Sequence, residues 1–256
     1  MKKIYYYSDY DEDLIKSNNQ NYKLSSDYVW IHDNKFYKFI SNILYKLAKF
    51  IGGIYCKFFL KVEIENSSVL EKYKNTGYFI YGNHTQPIGD VFIPAMICKN
   101  KRIYTIASPA NFGIPIIGRL LPMLGIIPTP ENISQTKKMY NTVKQRIDEN
   151  NAIIIYPEAH VWKYFTKIRP FSDTSFKFPV EHEKPIFCIT TTYYKKKNHK
   201  RPRTKVYVDG PFIIDKNLNK KENQINLKKQ IYNCMQERSK KSTYEYIEYK
   251  QIKKEK

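Results

Sequence analysis

Residues Tyr78–Asp90 read YFIYGNHTQPIGD. Tyr78–Tyr81 is a run of aromatic and β-branched side chains that suits a strand. A Gly, an Asn and a Pro then break the run, and Ile88–Lys99 resumes with the spacing of a helix. The same handover recurs on both sides. Lys61–Glu65 (KVEIE) precedes it as a strand and Arg102–Ala107 (RIYTIA) follows as another. Pro115–Leu124 reads as helical. Ser134–Glu149 is a helix with Met139, Val143 and Ile147 along one side. Ala152–Tyr156 (AIIIY) is a fully apolar, β-branched run of the kind buried in a parallel sheet. Pro185–Tyr194 and Thr204–Asp209 read as two further strands. Alternating strands and helices specify an α/β domain: a central mixed sheet with helices on both faces.

That domain spans about 61–215 of 256 residues. Residues 1–38 form a polar, Tyr-rich segment without a clear period. Residues 39–60 carry Phe39, Ile43, Leu47, Phe50, Ile54 and Phe58 at helical spacing, with Lys46, Lys49 and Lys57 beside or opposite them. An apolar stripe flanked by lysines suits a helix lying in a membrane interface, and equally one covering the core of the domain that follows. Residues 216–256 read as a basic helical tail on the surface. Lys195–Lys205, dense in Lys and Arg, reads as a solvated hairpin loop or a phosphate- or membrane-contacting one.

The chain carries 44 Lys+Arg against 24 Asp+Glu, a formal net charge of +20, which points to anionic partners. With 42% hydrophobic and 15% aromatic residues it has ample material for a core and is not a disordered chain. Heptads, Gly-X-Y periods and long repeats are absent, as is any uncharged apolar run of the length that spans a bilayer. The start, MKKIYYYSDYDEDLIK, lacks the apolar core of a secretory signal. Cys56, Cys98, Cys188 and Cys234 lie far apart without metal-ligand spacing and read as reduced intracellular thiols.

His84 follows a strand end, and Asp90 opens the next helix. Open α/β folds place their sites at strand ends, and a His whose ring is held by a carboxylate can take a proton from an alcohol. Asp90 also suits the cap or first turn of the helix. A second polar block, Tyr156-Pro157-Glu158-Ala159-His160, follows the AIIIY strand. Between them lie Gly113–Arg119 (GIPIIGR) and Leu124–Pro128 (LGIIP), and Lys184-Pro185-Ile186 opens a later strand.

These four blocks, in this order, resemble those of the glycerolipid acyltransferase family typified by 1-acyl-glycerol-3-phosphate acyltransferase. The resemblance covers roughly residues 60–215 and implies that family's fold. Two departures stand out. Five residues separate His84 from Asp90 where the family has four, and a bulge at Pro87–Gly89 is expected to absorb the extra one. The second block has Ala159 and Val161 where the family has Gly and Arg, and the arginine closing the Gly-rich block is missing near Thr129–Pro130. Arg119, Lys163, Lys167 and Arg169 are the candidate replacements.

The resemblance implies transfer of an acyl chain from a thioester, acyl-CoA or acyl-carrier protein, to a hydroxyl of a lysophospholipid or related glycerolipid. His84 would be the general base and Asp90 its orienting acid. Asn83, Gln86, Arg119, Glu158, His160 and Lys163 would contact substrate, and Phe112–Ile127 would flank the acyl chain. No metal or redox cofactor is implied. The expected setting is the cytoplasmic side of an anionic membrane, peripherally attached, with no nucleic-acid partner, since no DNA- or RNA-reading motif is visible. A catalytically silent lipid-binding relative and a hydrolase are the competing readings.

Overall fold

The computed structural model describes residues 2–14, 21–195 and 201–252. Seven strands form one twisted sheet: β2 (Glu63–Glu65), β3 (Tyr78–Gly82), β4 (Ile103–Ala107), β5 (Ile126–Pro128), β6 (Ala152–Ile155), β7 (Ile186–Tyr194) and β8 (Arg203–Phe212). Their order is β2-β8-β7-β3-β6-β4-β5, with every pairing parallel except the β7–β8 hairpin. The loop of that hairpin, central to the basic stretch Lys195–Lys205, falls at 196–200, outside the described residues.

Strand periodicity sends alternate residues to opposite faces. Phe79, Tyr81, Ile153, Ile155 and Cys188 face one layer, made by α4 (Ile133–Asp148), α5 (Lys177–His182) and α6 (Lys220–Ser239). Tyr78, Ile80, Ala152, Ile154 and Phe187 face the other, made by α2 (Gly89–Ile97) and the π-helical turn Tyr55–Leu60. The short α3 (Ile117–Leu120) follows β4, within the stretch Pro115–Leu124 expected to be helical throughout.

The helix expected from Phe39 starts earlier: α1 spans Lys35–Ile54, with Asn34 capping its first turn. Its fully buried positions are small. Ser41 and Gly52 are buried, and Ser41 Oγ donates to the Met123 carbonyl (2.8 Å). A Cβ at Gly52 would fall 2.2 Å from the Phe92 ring, so only glycine lets α1 lie this close to α2. The apolar stripe therefore points outward: Phe36, Phe39, Ile43, Leu47, Phe50, Ile51, Ile54 and Phe58 are all exposed. Among the described residues no helix is long and apolar enough to cross a membrane.

The two flanking segments join each other. β1 (Lys3–Tyr7) pairs in parallel with β9 (Ile247–Gln251), a small sheet that the polar composition of both segments hides. The region read as a basic surface tail holds α6, whose Leu227, Ile231 and Met235 are buried in the core against β7. Truncating Ile231 to Ala is expected to lower unfolding free energy by about 2–5 kcal/mol, whereas Ile225→Ala, at an exposed position of the same helix, shifts it by less than about 0.5 kcal/mol. Denaturant titration of both variants checks this.

Candidate active site

β3 and β6 are adjacent and parallel, so the loops at their carboxyl ends meet. The first is Asn83–Ile88 and the second runs from Tyr156 to Arg169. They are stitched by main-chain bonds, Trp162 N–H to His84 O (3.0 Å) and Tyr164 N–H to Thr85 O (2.9 Å).

The extra residue between His84 and Asp90 is taken up in a turn at Pro87–Ile88. The Asp90 N–H reaches the Gln86 carbonyl (2.9 Å) and α2 begins at Gly89. His84 Nδ1 then lies 2.8 Å from Asp90 Oδ2. That same oxygen accepts the Gln86 N–H (2.9 Å). The aspartate side chain is 4% exposed and the histidine 19%, so the pair has a buried end and an open end. No described residue bonds His84 Nε2. Burial raises the Asp90 carboxyl above the ordinary range, while His84 and the Gln86 and Thr85 N–H groups pull it back.

The imidazole plane is set by Tyr156, which stacks on it with centroids 4.5 Å apart and planes 15° apart. The Tyr156 hydroxyl donates to the Asp90 carbonyl (2.6 Å), tying the second loop to the start of α2. A Cβ at Gly82 would come within 2.8 Å of the Tyr156 ring, so that glycine clears its place.

Three of the expected substrate contacts turn inward instead. The Asn83 amide pairs with the main chain of Thr191 in both directions (2.8 and 3.0 Å), extending β7 with a side chain. Gln86 Nε2 donates to the Tyr193 hydroxyl (3.1 Å), which also bonds Thr85 Oγ1 (2.6 Å). Glu158, expected to face the acceptor, is fully buried. Its oxygens accept the N–H groups of His84 (3.1 Å) and Arg169 (2.9 Å) and the Arg169 guanidinium (3.3 Å). Arg169 is thereby spent as well. Its guanidinium also reaches the Tyr10 and His160 carbonyls and lies over Trp162 (4.8 Å). In this structure these residues act as struts, their amides and ion pair bonded to neighbouring main chain and side chains.

The remaining candidates stand apart. His160 Nδ1 is 3.8 Å from Asp13 Oδ2, facing the amino-terminal segment. The Lys163 carbonyl accepts the Tyr249 hydroxyl (2.8 Å), facing β9. Arg119 is exposed on α3 and, among the described residues, bonds nothing. Ala159 occupies the left-handed region (φ 62°), the conformation for which the Gly of the resembling family is suited. Tyr156 was visible only as part of a motif, and Tyr193 and Trp162 left no sequence signal, because aromatic residues abound in this chain.

The acyltransferase family model matches residues 61–192, slightly more than half of the chain. No curated protein sequence matches it. Among solved structures, the 1-acyl-sn-glycerophosphate (LPA) acyltransferase PlsC from Thermotoga maritima shares the fold, with a TM-score of 0.58 over 84% of this chain and 86% of that one, at 13% identity.

The raised Asp90 pKa sets the sign of a pH effect. The folded protein holds this proton more tightly than the unfolded chain, so stability falls as pH rises through the folded value. Asp90→Asn removes that decline. Its unfolding free energy relative to the parent is expected to improve from about pH 4 to pH 8, measured by denaturant titration at each pH; a variant that loses ground on the same path contradicts the assignment.

Proposed function

The chain belongs to the acyltransferase family, and from that premise we propose that it moves a fatty acyl chain from an acyl thioester to a hydroxyl of a lysophospholipid or related glycerolipid at a membrane surface. The observation that carries this reading is the half-buried His84–Asp90 pair, whose Nδ1–Oδ2 contact of 2.8 Å leaves Nε2 open. With Nδ1–H donated to the carboxylate, Nε2 carries the free lone pair and accepts the acceptor's hydroxyl proton. The resulting alkoxide attacks the thioester carbonyl. Asp90 stabilises the imidazolium, and collapse of the tetrahedral intermediate breaks the C–S bond, with the proton passing from Nε2 to the departing thiolate. A thioester is already activated, so no acyl-enzyme is required. Acyl-CoA and acyl-carrier protein both fit a chain with a net charge of +20.

Membrane attachment is supported by the outward stripe of α1. Phe36, Phe39, Phe50 and Phe58 are each more than 60% exposed, a large unpaired apolar surface for a water-facing helix. Lys46 and Lys57 are exposed beside it, where anionic headgroups would meet them. The stripe continues into the turn Tyr55–Leu60, which packs on α2 through Leu60 and Ile93 and so ends beside the catalytic loop. Exposed Ile88 and Val91 extend it. The proposal includes a peripheral position on the cytoplasmic leaflet, with acceptor and acyl chain drawn directly from the bilayer.

Two measurements test the proposal. Purified protein given radiolabelled acyl-CoA or acyl-carrier protein with a panel of lysolipids is expected to acylate at least one of them. His84→Ala is expected to lower that rate by about 10²–10⁴-fold. Turnover that survives the substitution, or thioester cleavage without acyl transfer, contradicts it. Separately, Phe39→Glu with Phe50→Glu is expected to weaken sedimentation with anionic vesicles by at least about tenfold, since each phenyl group contributes on the order of 1.5–3 kcal/mol when fully buried. Unchanged sedimentation removes α1 as the anchor.

A further inference from the structure

A cleft of about 300 Å³ opens at the β5 edge of the sheet. β5 lies three strand spacings, roughly 14 Å, from β3, whose carboxyl-end loop carries His84. Tyr28, Trp30 and Tyr37 from the amino-terminal segment and α1 wall it on one side, and Tyr104 of β4 on the other. Arg102 and Arg146 share the Tyr104 ring, with their guanidinium carbons 5.4 and 5.1 Å from its centroid. The mouth is marked by Lys38 and Glu149, both exposed.

The charges in this cleft do not balance. Lys38, Arg102 and Arg146 line it beside one carboxylate, Glu149, and with Lys38 held by Asp33 outside the lining the excess is one positive charge, that of Arg102. Arg146 pairs with Glu149 (2.9 Å), and Lys38 reaches the exposed Asp33 outside the lining (3.1 Å). Arg102 has no carboxylate among the described residues. Its guanidinium donates to Ser41 Oγ (2.7 Å) and the Met123 carbonyl. The Nε atoms of both arginines are buried and bond nothing. His32 adds no further charge, since burial and the Arg146 guanidinium both press its proton off. Glu149 supplies an anion to Arg146, but Arg102, drawn up beside it on the same ring with a donor unspent, has none, and a half-buried guanidinium favours one. A phosphate group would compensate that charge, and planar guanidinium forks match phosphate oxygens. The volume exceeds what a phosphate alone needs and sits at the lower end of small-molecule sites. Aromatic walls accept a flat ring.

We propose that this cleft binds a nucleotide-like phosphomonoester, its phosphate on Arg102 and Arg146 and its ring against Trp30 and Tyr37. The site is separate from the His84 loop and stands whether or not acyl transfer is observed. A free mononucleotide and the phosphorylated adenosine end of coenzyme A both carry this chemistry.

Calorimetric titration of the full chain with AMP, coenzyme A, inorganic phosphate and adenosine tests it. Saturable binding is expected for AMP or coenzyme A, and the tighter of the two identifies the source. Inorganic phosphate and adenosine should each bind weaker by at least about tenfold. Arg146→Gln, at a half-buried position of α4, and Lys38→Gln with Arg146→Gln, which adds an exposed position of α1, are checked for retained fold by circular dichroism and denaturant titration. Each should weaken the nucleotide by about tenfold. No saturable heat with either nucleotide, equal affinity for inorganic phosphate or for adenosine, or unchanged affinity in both variants overturns the proposal.

Discussion

A carboxylate removed from water holds this structure's functional end together. Asp90 is almost wholly buried at the first turn of α2, where the helix terminus, the Gln86 N–H and the His84 imidazole compensate its charge. Because those partners come from the loop that precedes the helix, one buried acid fixes the path of Asn83–Ile88 and the direction of the imidazole together. Moving the acid by a residue would leave a charge without partners. The one-residue insertion is therefore absorbed in the exposed turn at Pro87–Ile88, where a change of path breaks nothing buried.

The second loop adds rigidity from behind. Glu158 grips the His84 N–H and both ends of Arg169, and the Arg169–Trp162 stack is covered in turn by Tyr10 and Tyr249. The amino- and carboxyl-terminal strands thus close over the residues that support the His84 loop. This layered backing would preorganise His84 for the proposed role of general base, because the groups that orient it are themselves held by hydrogen bonds. The glutamate's demands are met by Arg169, eleven positions on in the chain.

Much of the α/β frame was legible in the sequence because buried parallel strands are written as unbroken runs such as YFIY and AIIIY, and helices between them keep their period. The His84–Asp90 contact was legible as a spacing. What stayed hidden was long-range pairing of polar segments. β1 and β9 carry Tyr, Lys and Glu, without the clean alternation that marks a half-buried strand, and β5 is three residues long. Glu158 and Arg169 misled for a related reason: sequence shows that a polar residue lies at a strand end, and only packing shows whether it faces a cleft or a partner. On α1 the stripe was legible and its direction was not, since periodicity cannot say which side of a helix meets the core. The burial of Ser41 and Gly52 settles that, leaving the phenylalanines outside.

The account's central claim is a tautomer: at neutral pH the free protein's His84 holds its proton on Nδ1, toward Asp90, with Nε2 bare. Nitrogen-15 chemical shifts of that imidazole in selectively labelled protein measure this directly. A protonated Nδ1 beside an unprotonated Nε2 is the expected result, with the difference collapsing in Asp90→Asn. A ring carrying its single proton on Nε2, indifferent to that substitution, would contradict the proposed role of the pair.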